Sequence, residues 1–120
     1  MLVPDLRNTK AVIVVFAMHG CGACDTYLPK FMDRVEAYAA GGAPFRVWAP
    51  GEPIQPGMIP VLLYDAASRS DELQNFADRL GITATPSTCL LTRTGVSKIE
   101  GDIPLADLDR LLISAQHANR

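Results

Sequence analysis

The sequence predicts an α/β fold: a central mixed β-sheet flanked by helices on both faces, in the order β-α-β-α-β-β-α. Three observations carry that expectation. Ala11-Val-Ile-Val-Val-Phe-Ala17 is an unbroken, β-branched run with the composition of a central strand buried on both faces. Strand-like and helical patterns then alternate along the chain. Two further strand-like runs close on each other through Thr94-Gly95, and a leucine-rich helix follows them.

In order, residues 1–10 contain Pro4 and Asn8-Thr9 and read as a short lead-in. The run Ala11–Ala17 is the first strand. From Gly22 the apolar residues Tyr27, Leu28, Phe31, Val35 and Tyr38 recur at helical spacing until Gly41-Gly42 ends the pattern. Pro29 lies inside this helix and is expected to kink it, because its ring removes a hydrogen bond and crowds the preceding turn. Residues 41–60 hold five of the nine prolines and four of the nine glycines, so no long element can occupy them, although Phe45 to Trp48 has the composition of a short strand.

Val61-Leu-Leu-Tyr-Asp65 is the next buried-strand pattern. A helix follows over Asp71 to Leu80, with Leu73, Phe76, Ala77 and Leu80 on one face. Ser70, or Ser68 with Asp71, can cap its start, and Gly81 ends it. Ser87 to Thr92 and Val96 to Glu100 make an antiparallel hairpin. Pro104 opens the last helix, on which Leu105, Leu108, Leu111, Leu112 and Ala115 share a face.

With 120 residues, 48% of them hydrophobic, the chain has the size of a single domain spanning 1–120, with a Pro/Gly-rich insertion at about 41–60. The formal net charge is −2 and the charges are interleaved, so there is no basic footprint for nucleic acid or for an anionic membrane. The longest apolar run, Ala11 to Met18, is too short to span a bilayer and does not have the form of a signal peptide, which gives a cytoplasmic expectation. Three cysteines are too few for a disulfide scaffold.

Two of the three stand as Cys21-Gly22-Ala23-Cys24, where the first strand gives way to the first helix. At a helix start, unpaired backbone N–H groups and the macrodipole favour a thiolate on Cys21. They can bring a thiol pKa of about 8.5 down to roughly 7 or below. Cys24, one turn on, is placed to resolve a disulfide formed on Cys21. Two blander readings compete. The pair could be inert core thiols, or part of a metal site, for which His19, Cys21 and Cys24 supply three ligands while His117 lies far away in the last helix. His19, as an imidazolium, could stabilise the Cys21 thiolate or take its proton; it could equally be a solvated loop residue. Cys89 reads as a packed strand residue.

With this motif in this setting, the chain resembles the thioredoxin-like family over roughly residues 11–117. The match rests on the strand Val12–Phe16 leading to Cys21-Gly22-Ala23-Cys24, on Pro29 five residues after the second cysteine, on Leu80-Gly-Ile-Thr-Ala-Thr-Pro-Ser87, and on the closing hairpin and helix, Thr88 to Gln116. The resemblance implies that Cys21 is the exposed nucleophile and Cys24 the buried resolving thiol. It further implies that Thr85 and a cis Pro86, with Gly22 and Ala23, form the surface against which an extended substrate segment pairs. The chain departs from the family pattern in three places. Gly20, preceded by His19, replaces the tryptophan before the first cysteine, Ala23 replaces the proline between the cysteines, and Val15 stands where a buried aspartate is expected. Asp25 is a nearby carboxylate that could tune the pair.

The resulting expectation is thiol–disulfide exchange on a protein or small-molecule disulfide, reset by an external thiol reductant, with no metal or organic cofactor. Residues 41–60, with Trp48, offer a contact for a protein partner, although Trp48 could instead cover one end of the core. The alternative is a thioredoxin-fold binding or structural subunit of a larger assembly, such as a phage particle or multiprotein complex, with little redox turnover.

Overall fold

A computed structural model describes residues 1–120. The elements are β1 (Ala11–Ala17), α1 (Gly22–Ala40), β2 (Phe45–Val47), β3 (Ile59–Asp65), α2 (Asp71–Leu80), β4 (Ser87–Thr92), β5 (Gly95–Glu100) and α3 (Leu105–Ala118). One five-stranded sheet runs β2-β3-β1-β4-β5. β3 is parallel to both β1 and β2, whereas β4 is antiparallel to β1 and to β5.

β1 lies at the centre of the sheet and every one of its residues is buried. Its alternating side chains serve two cores. Ala11, Ile13 and Val15 pack with Tyr27, Phe31 and Val35 of α1 and with Leu108, Leu111 and Leu112 of α3. Val12, Val14 and Phe16 point the other way, toward Phe76 of α2, Trp48 and Met58. An apolar residue at every position of β1 is what a strand between two helical layers requires.

The observed order contains one element more than the predicted seven, the short strand β2. Its three residues are too few to show a period, and its pairing is invisible without β3. Phe45, Arg46 and Val47 lie level with Ile59, Pro60 and Val61. That pairing also starts β3 at Ile59, ahead of the expected Val61. Pro60 is tolerated there because its neighbours carry the bonds to the β2 side: Ile59 N–H donates to Pro44 O at 2.8 Å, and Val61 O accepts from Trp48 N–H at 3.0 Å. Since β2 and β3 run parallel, residues 48–58 must carry the chain back along the sheet. In doing so they bring Trp48, Ile54 and Met58 onto the α2 face, so the Pro/Gly-rich stretch is a crossover that completes the second core.

α1 continues through Pro29. In α2, Ser70 Oγ accepts from Leu73 N–H at 3.4 Å and Gly81 closes the helix at φ +70°. Pro104 occupies the N-cap of α3. No helix is long and apolar enough to cross a membrane.

Strand direction positions the site. Because β4 is antiparallel to β1, with Phe16 opposite Ser87, the loop leaving β1 and the loop entering β4 meet at one end of the sheet.

Candidate functional site

The loop leaving β1 turns at Gly20, whose φ of +80° lies in the left-handed region that glycine enters freely. Cys21 is therefore delivered to the N-cap of α1. Its backbone is extended, and its sulfur accepts the Cys24 N–H at 3.2 Å. Here a thiol does the work usually done by a serine or aspartate side chain at this position, satisfying an otherwise unpaired helix-start donor. Cys21 is partly exposed, Cys24 is fully buried, and both are free thiols.

The second loop closes on the first. The Thr85–Pro86 peptide bond is cis. Cys21 Sγ lies 3.6 Å from Thr85 O, and Thr85 Oγ1 donates toward Cys21 Sγ at 3.7 Å. Thr85 N–H donates to no group of the chain. Gly22 and Ala23 are exposed beside Cys21, and a Cβ placed on Gly22 would meet nothing within 4 Å, so the surface in front of the nucleophilic sulfur is open.

The two sulfurs are driven apart in acidity. Cys21 is held below the ordinary thiol range, first by its hydrogen bond with the Cys24 thiol, then by the Cys24 amide, the Thr85 hydroxyl and the Ala23 amide, against partial desolvation. Cys24 is pushed up, first by burial and then by the adjacent Cys21 sulfur; the Met18 amide, which donates to Cys24 Sγ at 3.4 Å, opposes that rise. Such an arrangement makes the outer sulfur the first of the two to ionise and leaves the proton on the inner one.

His19 and Asp25 do not join the pair. Both are exposed, and neither side chain hydrogen-bonds to a cysteine. Asp25 sits in the first turn of α1, where a carboxylate complements the helix dipole. Val15 is buried opposite Thr88 and packs with Tyr27 and Phe31, so it supplies no carboxylate to Cys24. Instead, Tyr27 and Thr88 share a buried hydrogen bond at 2.7 Å, linking the motif helix to the strand that follows Pro86. No three His, Cys, Asp or Glu side chains converge to hold a metal ion. Cys89 is buried in the second core, its thiol pushed up by burial.

Sequence reasoning missed the Met18 amide and the Thr85 hydroxyl as sulfur partners. A backbone N–H carries no sequence signal, and the reach of Thr85 depends on a loop sixty-four positions away in the chain. Two grooves also flank the site. One of about 520 Å³ runs from Thr85 along Ile82 to α2, and one of about 320 Å³ lies between His19, Leu28 and Leu63; Met18 and Asp65 border both. Trp48 is buried and its indole N–H donates to Glu52 O at 2.8 Å, so it covers the core and is not displayed to a partner. A separate cleft of about 710 Å³ separates the lead-in from residues 51–56.

An element order built on a parallel β3-β1 pair and a closing hairpin, with a cysteine pair just past the end of the central strand, defines a thioredoxin-like α/β fold. Solved structures bear out that fold. Thioredoxin f from spinach chloroplast superposes with a TM-score of 0.56 at 22% identity, covering 94% of this chain and 80% of that one. Mitochondrial thioredoxin 3 from Saccharomyces cerevisiae gives a TM-score of 0.55 at 19% identity over 88% and 80%. A thioredoxin f2, solved in complex with ferredoxin:thioredoxin reductase, gives 0.55 at 18% identity over 94% and 81%. No protein-family model matches the chain, and no curated protein matches it by sequence. At these identities the likeness carries the fold, and the chemistry has to be argued from the site.

Proposed function

We propose that the protein is a thiol–disulfide oxidoreductase in which Cys21 is the nucleophile, Cys24 the resolving thiol, and Thr85–Pro86 with Gly22 and Ala23 the substrate ledge. The observation that carries this reading is the position of Cys21 Sγ: it accepts the Cys24 amide at the start of α1, faces Thr85 across 3.6 Å, and is open to solvent on its remaining side.

In the reducing direction, the Cys21 thiolate attacks one sulfur of a substrate disulfide. That S–S bond breaks, the other sulfur leaves as a thiolate, and a Cys21–substrate disulfide forms. Cys24 then gives up its proton and attacks Cys21 Sγ, which expels the second substrate sulfur and leaves a Cys21–Cys24 disulfide. The substrate gains two electrons and two protons, and the protein dithiol loses them. An external dithiol reverses the loss. No side-chain acid or base hydrogen-bonds Cys24, so its proton leaves to solvent, from which the departing substrate thiolate takes one up. The unpaired Thr85 N–H and the Thr85 O are the backbone groups to which an extended substrate segment would add as a strand.

Insulin reduction with dithiothreitol as the resetting dithiol tests the reading. The full chain should accelerate it, Cys21→Ser should abolish the acceleration, and Cys24→Ser should accumulate mixed disulfides visible by mass spectrometry. Turnover that survives in Cys21→Ser would sink the mechanism.

A further inference from the structure

The larger groove beside the site is not neutral. It begins at Thr85, the residue in contact with Cys21, and is floored by Met18, Ile82 and Leu73, while its only charged residues are Asp65 and Asp78. Asp65 also borders the smaller groove, whose lining adds Asp25 and His19. No lysine or arginine lines either groove. None of the three aspartates belongs to an ion pair, although Asp5, Asp102, Asp107 and Asp109 elsewhere on the surface all do. Of the basic side chains close to this end, Lys98 is bound to Gly81 O and Glu100, Lys30 to Asp102, and the Arg79 guanidinium lies over the Phe76 ring, while Arg69, next to Ser68, is exposed and lines neither groove. The lining of the larger groove therefore carries two exposed carboxylates and no cation.

We propose that this groove selects the substrate: the occupant is an extended polypeptide segment that pairs with Thr85, lays an apolar side chain on Met18 and Ile82, and presents a lysine or arginine to Asp65 and Asp78 within about three residues of its reacting cysteine. An extended chain advances about 3.3 Å per residue, so three residues span about 10 Å. Charge complementarity of this kind discriminates between partners and speeds encounter more than it adds raw affinity. This inference rests on the exchange reading and names the substrate class of the same site.

The test uses two symmetric peptide disulfides, identical except for lysine or glutamine two residues from the cysteine, each reduced by the full chain with dithiothreitol. Each rate is divided by the rate with dithiothreitol alone, which removes the intrinsic reactivity of the disulfide. The lysine peptide should be favoured on the order of two- to threefold for each carboxylate at low ionic strength. The preference should largely vanish at about 1 M salt, where the screening length is about 3 Å. In the Asp65→Asn/Asp78→Asn variant, whose altered side chains are exposed and whose amide oxygen at position 65 can still accept the Ala67 N–H, the lysine-to-glutamine ratio should fall toward one. A ratio of one in the unaltered chain overturns the inference. So does a preference that persists undiminished in the double variant, since it would then originate in the Cys21 thiolate itself. Failure to reduce either peptide would instead overturn the exchange reading.

Discussion

Tyr27→Phe probes the tie between the helix that carries the cysteine pair and the strand that carries the ledge. Tyr27 and Thr88 are fully buried and their hydroxyls lie 2.7 Å apart, while the Tyr27 ring packs 5.8 Å from that of Phe31. The phenylalanine variant keeps the ring packing and strands the Thr88 hydroxyl, which costs about 1–3 kcal/mol. The cost also has a defined pH dependence. Burial, with a smaller contribution from Asp102 and against the Thr88 hydrogen bond, pushes the Tyr27 phenol up to about 12. An unfolded tyrosine ionises near 10 (about 10 in peptides). Below about pH 10 both states hold the proton and no stability is lost. Between about pH 10 and 12 the unfolded state has released a proton that the folded state keeps, so stability falls as pH rises. Two units at about 1.4 kcal/mol each amount to roughly 3 kcal/mol by the end of that window. The phenylalanine variant has no such loss, and Tyr64, also raised by burial, contributes equally to both proteins and cancels. Urea unfolding at about pH 8, and in steps up to about pH 11.5, should show the parent more stable by about 1–3 kcal/mol at the start. That lead should shrink by about 1.4 kcal/mol per unit above about pH 10. A lead that is absent at about pH 8 refutes the buried hydrogen bond, and one that stays constant throughout refutes the raised, buried phenol. Thr88→Val should be destabilising alone, and less than additive with Tyr27→Phe because the pair then leaves no stranded hydroxyl.

Three further outcomes follow from the same geometry. Iodoacetamide should label Cys21 alone in the native protein, by mass spectrometry, with labelling that persists as pH falls toward neutral because Cys21 is held below the ordinary thiol range; Cys24→Ala removes the largest cause of that lowering and should slow labelling at neutral pH. Labelling of Cys24 or Cys89 before unfolding would contradict their burial. Gly81→Ala places a β-carbon at φ +70° and should lower stability by about 1–2 kcal/mol in thermal melts, with unchanged stability contradicting the left-handed cap. Trp48, the single tryptophan, should emit as a buried indole and resist acrylamide until the protein unfolds; ready quenching in the native state would return it to the surface as a partner contact.

What could be read in advance was what is local. β1 was legible because a strand between two helical layers must be apolar at every position, and Ala11–Ala17 has no competing helical period. α2 was legible to its end residues because Ser70 and Gly81 bracket it with side-chain and backbone chemistry that belongs to helix ends alone. β2 was legible only as a composition, Phe45 to Trp48, because three residues acquire a partner only when residues 48–58 have folded back across the sheet to bring up Ile59. Trp48 illustrates the same limit. An aromatic in a Pro/Gly-rich stretch has the composition of a displayed contact, and only the return path of the chain turns it inward against Phe76 and Val14.

The site divides along that same line. That Cys21 starts a helix follows from the order of residues around it. The lowering of Cys21 follows in part as well, since its first cause is the Cys24 thiol three residues on; the added Thr85 hydroxyl, from sixty-four positions away, and the full core that raises Cys24 do not. His19 and Asp25 were the natural candidates to tune the pair, being its nearest titratable neighbours in sequence. Gly20 turns the loop and α1 begins in such a way that both side chains face solvent, and the Cys24 thiol, two backbone amides and one hydroxyl take their place. With Val15 sealing the core where a carboxylate is expected, Cys24 has no side-chain base of its own. Resolution of a mixed disulfide should then accelerate as pH rises toward the elevated range of the Cys24 thiol, measurable as single-turnover release of a substrate thiol from the Cys21-linked intermediate. A release rate independent of pH from neutral to alkaline solution would mean that a base reaches Cys24 after all.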